Sequence, residues 1–288
     1  MSDNKLIAAI KGKGKSLEGE MSFFDHLEVL RWHLIRAAIS IIIFGGLAFY
    51  FFDWIWGTII MGPMNPGFFT YQAMCKMAQM MGGTGGCITA IPGRIVNNEM
   101  AGQFSLQINS SVLIGIILGF PYLLWEVWKF IKPALLDKER KAASGFVFYA
   151  SLLFFLGILF GYFVVAPLSI HFLTNYQISD KIENMFTIDS YLTSVATLTL
   201  VSGIVFQLPI VIFILATIGI VTAKFMREKR RYAIIIILII AMLVTPTPDV
   251  TTMIVISIPL FGLYEVSIRV AARIDKRRAL KDAEFYGK

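Results

Sequence analysis

Long apolar runs alternate along the chain with short segments that carry Lys, Arg, Asp and Glu. The length of the runs predicts helices that cross a bilayer. Six spans are read, at about 33–56, 104–131, 145–167, 191–221, 232–244 and 249–270. Pro121, Pro209 and Pro259 fall inside spans, where neighbouring helices satisfy the carbonyls a proline frees. The last two runs are short. Only 13 residues, 232–244, precede the stop Thr245-Pro246-Thr247-Pro248-Asp249. A helix of that length rises roughly 20 Å, against a hydrocarbon core of about 30 Å. The next run, 251–264, is almost as short.

Composition agrees with an all-α integral membrane protein: 57% of residues are hydrophobic and 16% charged. Residues 1–20 hold Lys, Gly and Glu without an apolar core, so a disordered tail is expected there and not a cleavable signal peptide. Residues 21–273 then form the membrane domain, with 57–104 as an outward cap loop, and 274–288 form a second tail. Lys and Arg set the orientation. They occupy 23 positions in the N-terminal arm, the loops after the second and fourth spans and the C-terminal tail, but 3 on the opposite side. The positive-inside rule puts both termini in the cytoplasm. The net charge of +7 is accounted for by this topology and by contact with anionic lipid, and implies no nucleic-acid partner.

Cys75 and Cys87 both fall in the outward cap loop. A disulfide closing the segment MAQMMGGTGG is the favoured reading. The alternative is that Met74, Met77, Met80 and Met81 nearby offer soft ligands to Cu(I). Catalytic signatures are missing: there is no His-Glu-x-x-His, no Gly-x-Ser-x-Gly and no phosphate loop. The histidines His26, His33 and His171 are scattered, so no metal site and no cofactor are expected.

Polar residues within or beside the spans are the remaining candidates. Gln207, in the middle of the fourth span, implies either a contact with another helix or one internal hydrogen bond that sets packing. Glu126 lies about one turn from the cytoplasmic interface, with Lys129 at i+3 as its expected partner. Glu265 has Arg269 at i+4 for the same role. Glu139 is flanked by Lys138, Arg140 and Lys141 and by charge alone is a solvated loop residue.

Four blocks in order carry a resemblance: FFDHLEVLRWHL from Phe23, PYLLWEVWKFIKPALLDKERK from Pro121, FQLP from Phe206, and TPTPDVTTMIVISIPLFGLYE from Thr245. Together they resemble TatC, the polytopic core of the twin-arginine protein translocase. The resemblance implies a glove-shaped bundle of six helices in the bacterial inner membrane, with short fifth and sixth helices that thin the bilayer locally. Asp249 would cap the sixth helix after the Pro246 turn. The implied activity is export of folded proteins, driven by the proton-motive force, with no enzymatic step.

The implied partners are twin-arginine signal peptides, single-span TatA/TatB-type subunits and further copies of the chain. Planar guanidinium pairs in bidentate fashion with carboxylate, so acidic residues suit the recognition. Glu139, in the loop that begins near Pro133, matches the family's loop glutamate. At the N-terminal tip the family pattern His-Leu-x-Glu-Leu-Arg meets Val29 at its glutamate position, with Glu28 one residue earlier and Arg31 in register. Phe130 belongs to the same implied signal-peptide site. Glu126 stands where many relatives carry Gln, and Gln207 stands where many carry a Glu that helps to position the single-span subunits. A small-solute secondary transporter is the rival reading, although such proteins usually show repeat symmetry and a charged midplane site.

Overall fold

The computed structural model describes residues 23–80, 82, 87, 91, 94–132, 145–179, 184–244 and 250–286. Helix α1 (Phe23–Tyr50) gives way to a short turn, Phe52–Ile55, and a wide π-turn, Trp56–Ile60. A cap helix α2 (Phe69–Met80) and strand β1 (Arg94–Val96) follow, then α3 (Gly102–Ile131). The third span is α4 (Phe146–Phe160), a π-turn at Gly161–Val165, and α5 (Ala166–Asn175). Strand β2 (Met185–Thr187) leads into α6 (Ile188–Val205) and α7 (Leu208–Ile218). The chain ends with α8 (Ala223–Glu228), α9 (Arg230–Val244) and α10 (Val250–Tyr286).

Among the described residues five helical segments are long and apolar enough to cross a membrane: Leu27–Tyr50, Gly102–Ile131, Phe146–Asn175, Ile188–Ile218 and Thr252–Leu280. Helix α9 has 15 residues. Its rise of about 22 Å falls short of the bilayer core. The sixth helix departs from the sequence reading, which ends it near Val270 as a short element. It runs on to Tyr286 and, at 37 residues, is the longest helix described. Its segment Thr252–Leu280 is long and apolar enough to cross a membrane, so it is not a short element.

Small residues bring the spans together, as expected where lipid is no worse a solvent for Leu than protein is. Helices α1 and α3 run antiparallel and form the most extensive helix pair. A Cβ on Gly115 would lie 2.6 Å from the carbonyl oxygen of Ile41 and 2.9 Å from Gly45 Cα, so only glycine permits this crossing. The α4–α6 crossing is built in the same way, with a Cβ on Gly157 falling 2.7 Å from Ser202 O. Proline bends two spans. The π-turn at Gly161–Val165 precedes Pro167 near the start of α5, and the fourth span breaks at Phe206–Gln207, just before Pro209 in α7.

Tyrosines fasten the cap, Tyr71 and Tyr191 buried and Tyr162 half-buried. Tyr71 Oη donates to the carbonyls of Pro63 (2.8 Å) and Pro167 (3.1 Å), and its burial raises the phenol pKa. Tyr162 donates to Ile59 O and Tyr191 to Ile60 O, each at 2.6 Å. Thr70 donates to Phe163 O. Strands β1 and β2 pair in parallel, Arg94 with Met185 through Val96 with Thr187, and so tie the loop after the first span to the loop after the third. A disulfide joins Cys75 and Cys87, the favoured reading of the two cysteines.

Candidate functional site

Because α1 and α3 are antiparallel, the start of α1 and the end of α3 share one end of the bundle. There Glu126, on α3, is 1% exposed, although a carboxylate is among the costliest groups to bury unpaired. Its oxygens are matched from both helices. His33 Nδ1 on α1 lies 2.5 Å from Oε2, and Lys129 Nζ donates to Oε1 at 3.1 Å. Arg36 Nη1 stands 3.9 Å from Oε2. Lys129 also sits over the Trp125 ring, 3.8 Å from its centroid, and the His33 ring meets Phe130 edge-on at 6.2 Å.

Helical spacing explains the cluster. His33 and Arg36 lie at i and i+3 on α1, while Glu126, Lys129 and Phe130 lie at i, i+3 and i+4 on α3, so each group shares one face. The Lys129 contact agrees with the sequence reading. The contact to His33, across 93 positions, does not appear in that reading, and its only sequence signal is a histidine and an arginine one turn apart. Glu28 and Arg31 are exposed on α1, within two turns of His33, and Phe130 is half-buried beside it. Among the described residues Glu28 has no ion-pair partner. Glu139, Pro133, Pro246 and Asp249 lie outside the described residues.

One other reading changes, that of Glu265, while Gln207 makes the internal hydrogen bond that is one of its two expected roles. Glu265 pairs with Arg230 at 2.9 Å and not with Arg269 on its own helix. An interhelical partner at the foot of α9 meets the carboxylate more directly than a residue one turn along α10. Gln207 stands at the break between α6 and α7, where its Nε2 donates to Ala150 O on α4 at 3.1 Å. The amide thus supplies a cross-helix bond at the place where Pro209 removes one from the helix. Pro121 is accommodated inside an unbroken α3.

At the same end, the extension of α10 holds the junction between α7 and α8. Gly219 closes α7 at a φ of 92°, a left-handed conformation suited to glycine. Arg278 donates to Thr217 O in the last turn of α7 at 2.9 Å, and Asp275 Oδ2 accepts the Ala223 N–H at the start of α8 at 2.8 Å. Tyr264 adds a 2.8 Å bond to Met226 O. One orphan carbonyl of α7 and one orphan N–H of α8 are therefore satisfied from one helix. These bonds give the polar end of α10 tertiary partners beyond its apolar stretch.

A family model described as Sec-independent protein translocase protein (TatC) matches residues 25–259. The chain belongs to the TatC family. It is similar to the Sec-independent protein translocase protein TatC of Blattabacterium sp. subsp. Periplaneta americana (strain BPLAN), 35% identical over 266 residues, covering 92% of this chain and 100% of that protein. Against the TatC of Aquifex aeolicus (strain VF5) the identity is 31% over 249 residues, covering 86% of this chain and 93% of that one. Among solved structures it resembles the crystal structure of the twin arginine translocase receptor TatC, at 30% identity and a TM-score of 0.61, covering 85% of this chain and 97% of that one. The same receptor in DDM gives a TM-score of 0.63 with 99% of its chain covered.

Membership in the TatC family makes the chain a multi-pass inner-membrane subunit of the twin-arginine translocase, a receptor and not an enzyme. It also sets aside the small-solute transporter. Lipid then accounts for the many bare side chains on the spans, among them Ile42 at 71% and Leu243 at 76% exposure.

Proposed function

We propose that this chain receives the paired arginines of a twin-arginine signal peptide at the rim between the start of α1 and the loop after α3. Glu139 is the principal carboxylate, with Glu28, Arg31 and Phe130 lining the approach. The observation that carries the reading is the pairing state of the two acids on the described rim. Glu126 is buried and already matched by His33 and Lys129, whereas Glu28 is exposed without an ion-pair partner among the described residues. A peptide arginine is thereby left to Glu28 and the loop acid. The same reading has both termini cytoplasmic and α9 as a short fifth span of a glove-shaped six-helix bundle. Residues 1–20 and 274–288 are then cytoplasmic segments, and 57–104 forms a periplasmic cap on the membrane domain 21–273. Several copies of the chain act together, with cargo movement coupled to the proton-motive force. Gln207 meets a single-span partner subunit through Oε1, for which no donor is present among the described residues.

Cross-linking of a twin-arginine peptide to Glu139→Ala in membranes tests the assignment. The expected loss is roughly ten- to hundredfold in binding, the scale of a charge-assisted pair of about 1.5–3 kcal/mol. Glu139→Asp retains part of the signal, and a Lys-Lys peptide binds poorly to the unmodified chain. Undiminished cross-linking in Glu139→Ala would transfer the role to Glu28.

A further inference from the structure

We infer that a cavity between α4, α7 and α10 holds the phosphate headgroup of an anionic phospholipid. The cavity measures about 440 Å³ and lies at the same end of the bundle as Glu126 and the α7–α8 junction. Its two walls differ in chemistry. Phe146 and Tyr149 of α4 and Phe213 of α7 give one an aromatic face, while α10 brings Arg273 and Arg277 to the other, interleaved with apolar residues.

The arginines stand at i and i+4, so both guanidinium groups reach the same space. Their neighbours Asp275 and Arg278 are committed to the α7–α8 junction. Among the described residues neither Arg273 nor Arg277 has a carboxylate partner. Two unneutralised guanidiniums beside an aromatic wall match a ligand with an anionic head and apolar tails. Guanidinium binds phosphate oxygens through paired N–H donors, and basic pockets between spans are where anionic headgroups settle. The same charges repel a twin-arginine segment, so this cavity is separate from the proposed peptide site and neither assignment depends on the other.

The full chain, purified in detergent, is transferred to mixed micelles containing phosphatidylglycerol or phosphatidylcholine, and retained lipid is counted by native mass spectrometry. Phosphatidylglycerol is expected to be retained in preference to phosphatidylcholine. The double variant R273Q/R277Q should lower its affinity roughly thirtyfold, at about a factor of five for each arginine near a membrane surface. Lys276→Gln, on the same turn of α10 but outside the cavity lining, should leave it unchanged. Equal retention of the two lipids, or retention by the double variant, overturns the inference. Displacement of the lipid by inorganic phosphate alone also overturns it, in favour of a simple anion site. If the double variant does not accumulate, the preference of the unmodified chain between the two lipids decides.

Discussion

His33 Nδ1 lies 2.5 Å from Oε2 of Glu126, a contact that joins the first and second spans at their shared end. It couples packing to the recognition rim, because Glu28 and Arg31 continue the same helix that His33 anchors. Replacing His33 by Ala removes the nearest partner of Oε2 and leaves the buried carboxylate to Lys129, Tyr122 and the more distant Arg36. It should cost about 1–3 kcal/mol, the penalty for an under-satisfied buried acceptor. Thermal unfolding in detergent measures it. The double variant His33→Ala/Glu126→Gln should regain part of the loss, because an amide needs less compensation than a carboxylate. No recovery would mean that the histidine acts through packing against Phe130.

Gly115 is the tightest point of the α1–α3 crossing. Gly115→Val forces side-chain carbon into the backbone at Ile41 and Gly45 and should destabilise the protein by about 1–3 kcal/mol or more. Gly46→Val, where a Cβ meets nothing within 4 Å, should leave it nearly unchanged. Comparing folded yields of the two variants checks the contrast. Equal yields would count against the close crossing.

The cap disulfide closes a segment with a sequence separation of 12. Chain-entropy arguments give such a link about 3 kcal/mol or less. Alkylation without reductant should add no mass at Cys75 or Cys87. Exchanging both for Ser should lower the melting temperature while export continues, since Tyr71, Tyr162, Tyr191 and the β1–β2 pairing also hold the cap. Two alkylated thiols in the untreated protein would refute the bridge.

Gln207→Leu removes the bond to Ala150 and, on the proposed reading, a contact with a single-span partner. Cross-linking to that partner, measured per molecule of accumulated chain, should fall. Unchanged cross-linking with reduced accumulation would assign Gln207 to packing alone.

Asp275→Ala withdraws the acceptor from the first N–H of α8. Amide exchange at residues 219–223 should accelerate several-fold, matching the loss of about 1 kcal/mol expected for a helix cap. Exchange in α1 should stay as it was. Uniform acceleration throughout the chain would indicate global destabilisation instead.

The sequence by itself determined the class, most of the spans and the family. Each rests on local regularities: apolar run length, the side on which Lys and Arg gather, and four ordered blocks of residues. Lys129 beside Glu126 was legible for the same reason, since one turn of helix brings i and i+3 together without help from the fold. Tertiary structure alone decided how polar groups are matched between helices. His33 finds Glu126, Arg230 displaces Arg269 as the partner of Glu265, and Gln207 turns to Ala150, because a buried polar atom takes the best-placed partner in space whatever its distance along the chain. The polar end of α10 is matched in the same way. Its apolar pattern stops before Arg273, and beyond it Asp275 and Arg278 satisfy backbone groups on α7 and α8 that no local pattern reveals.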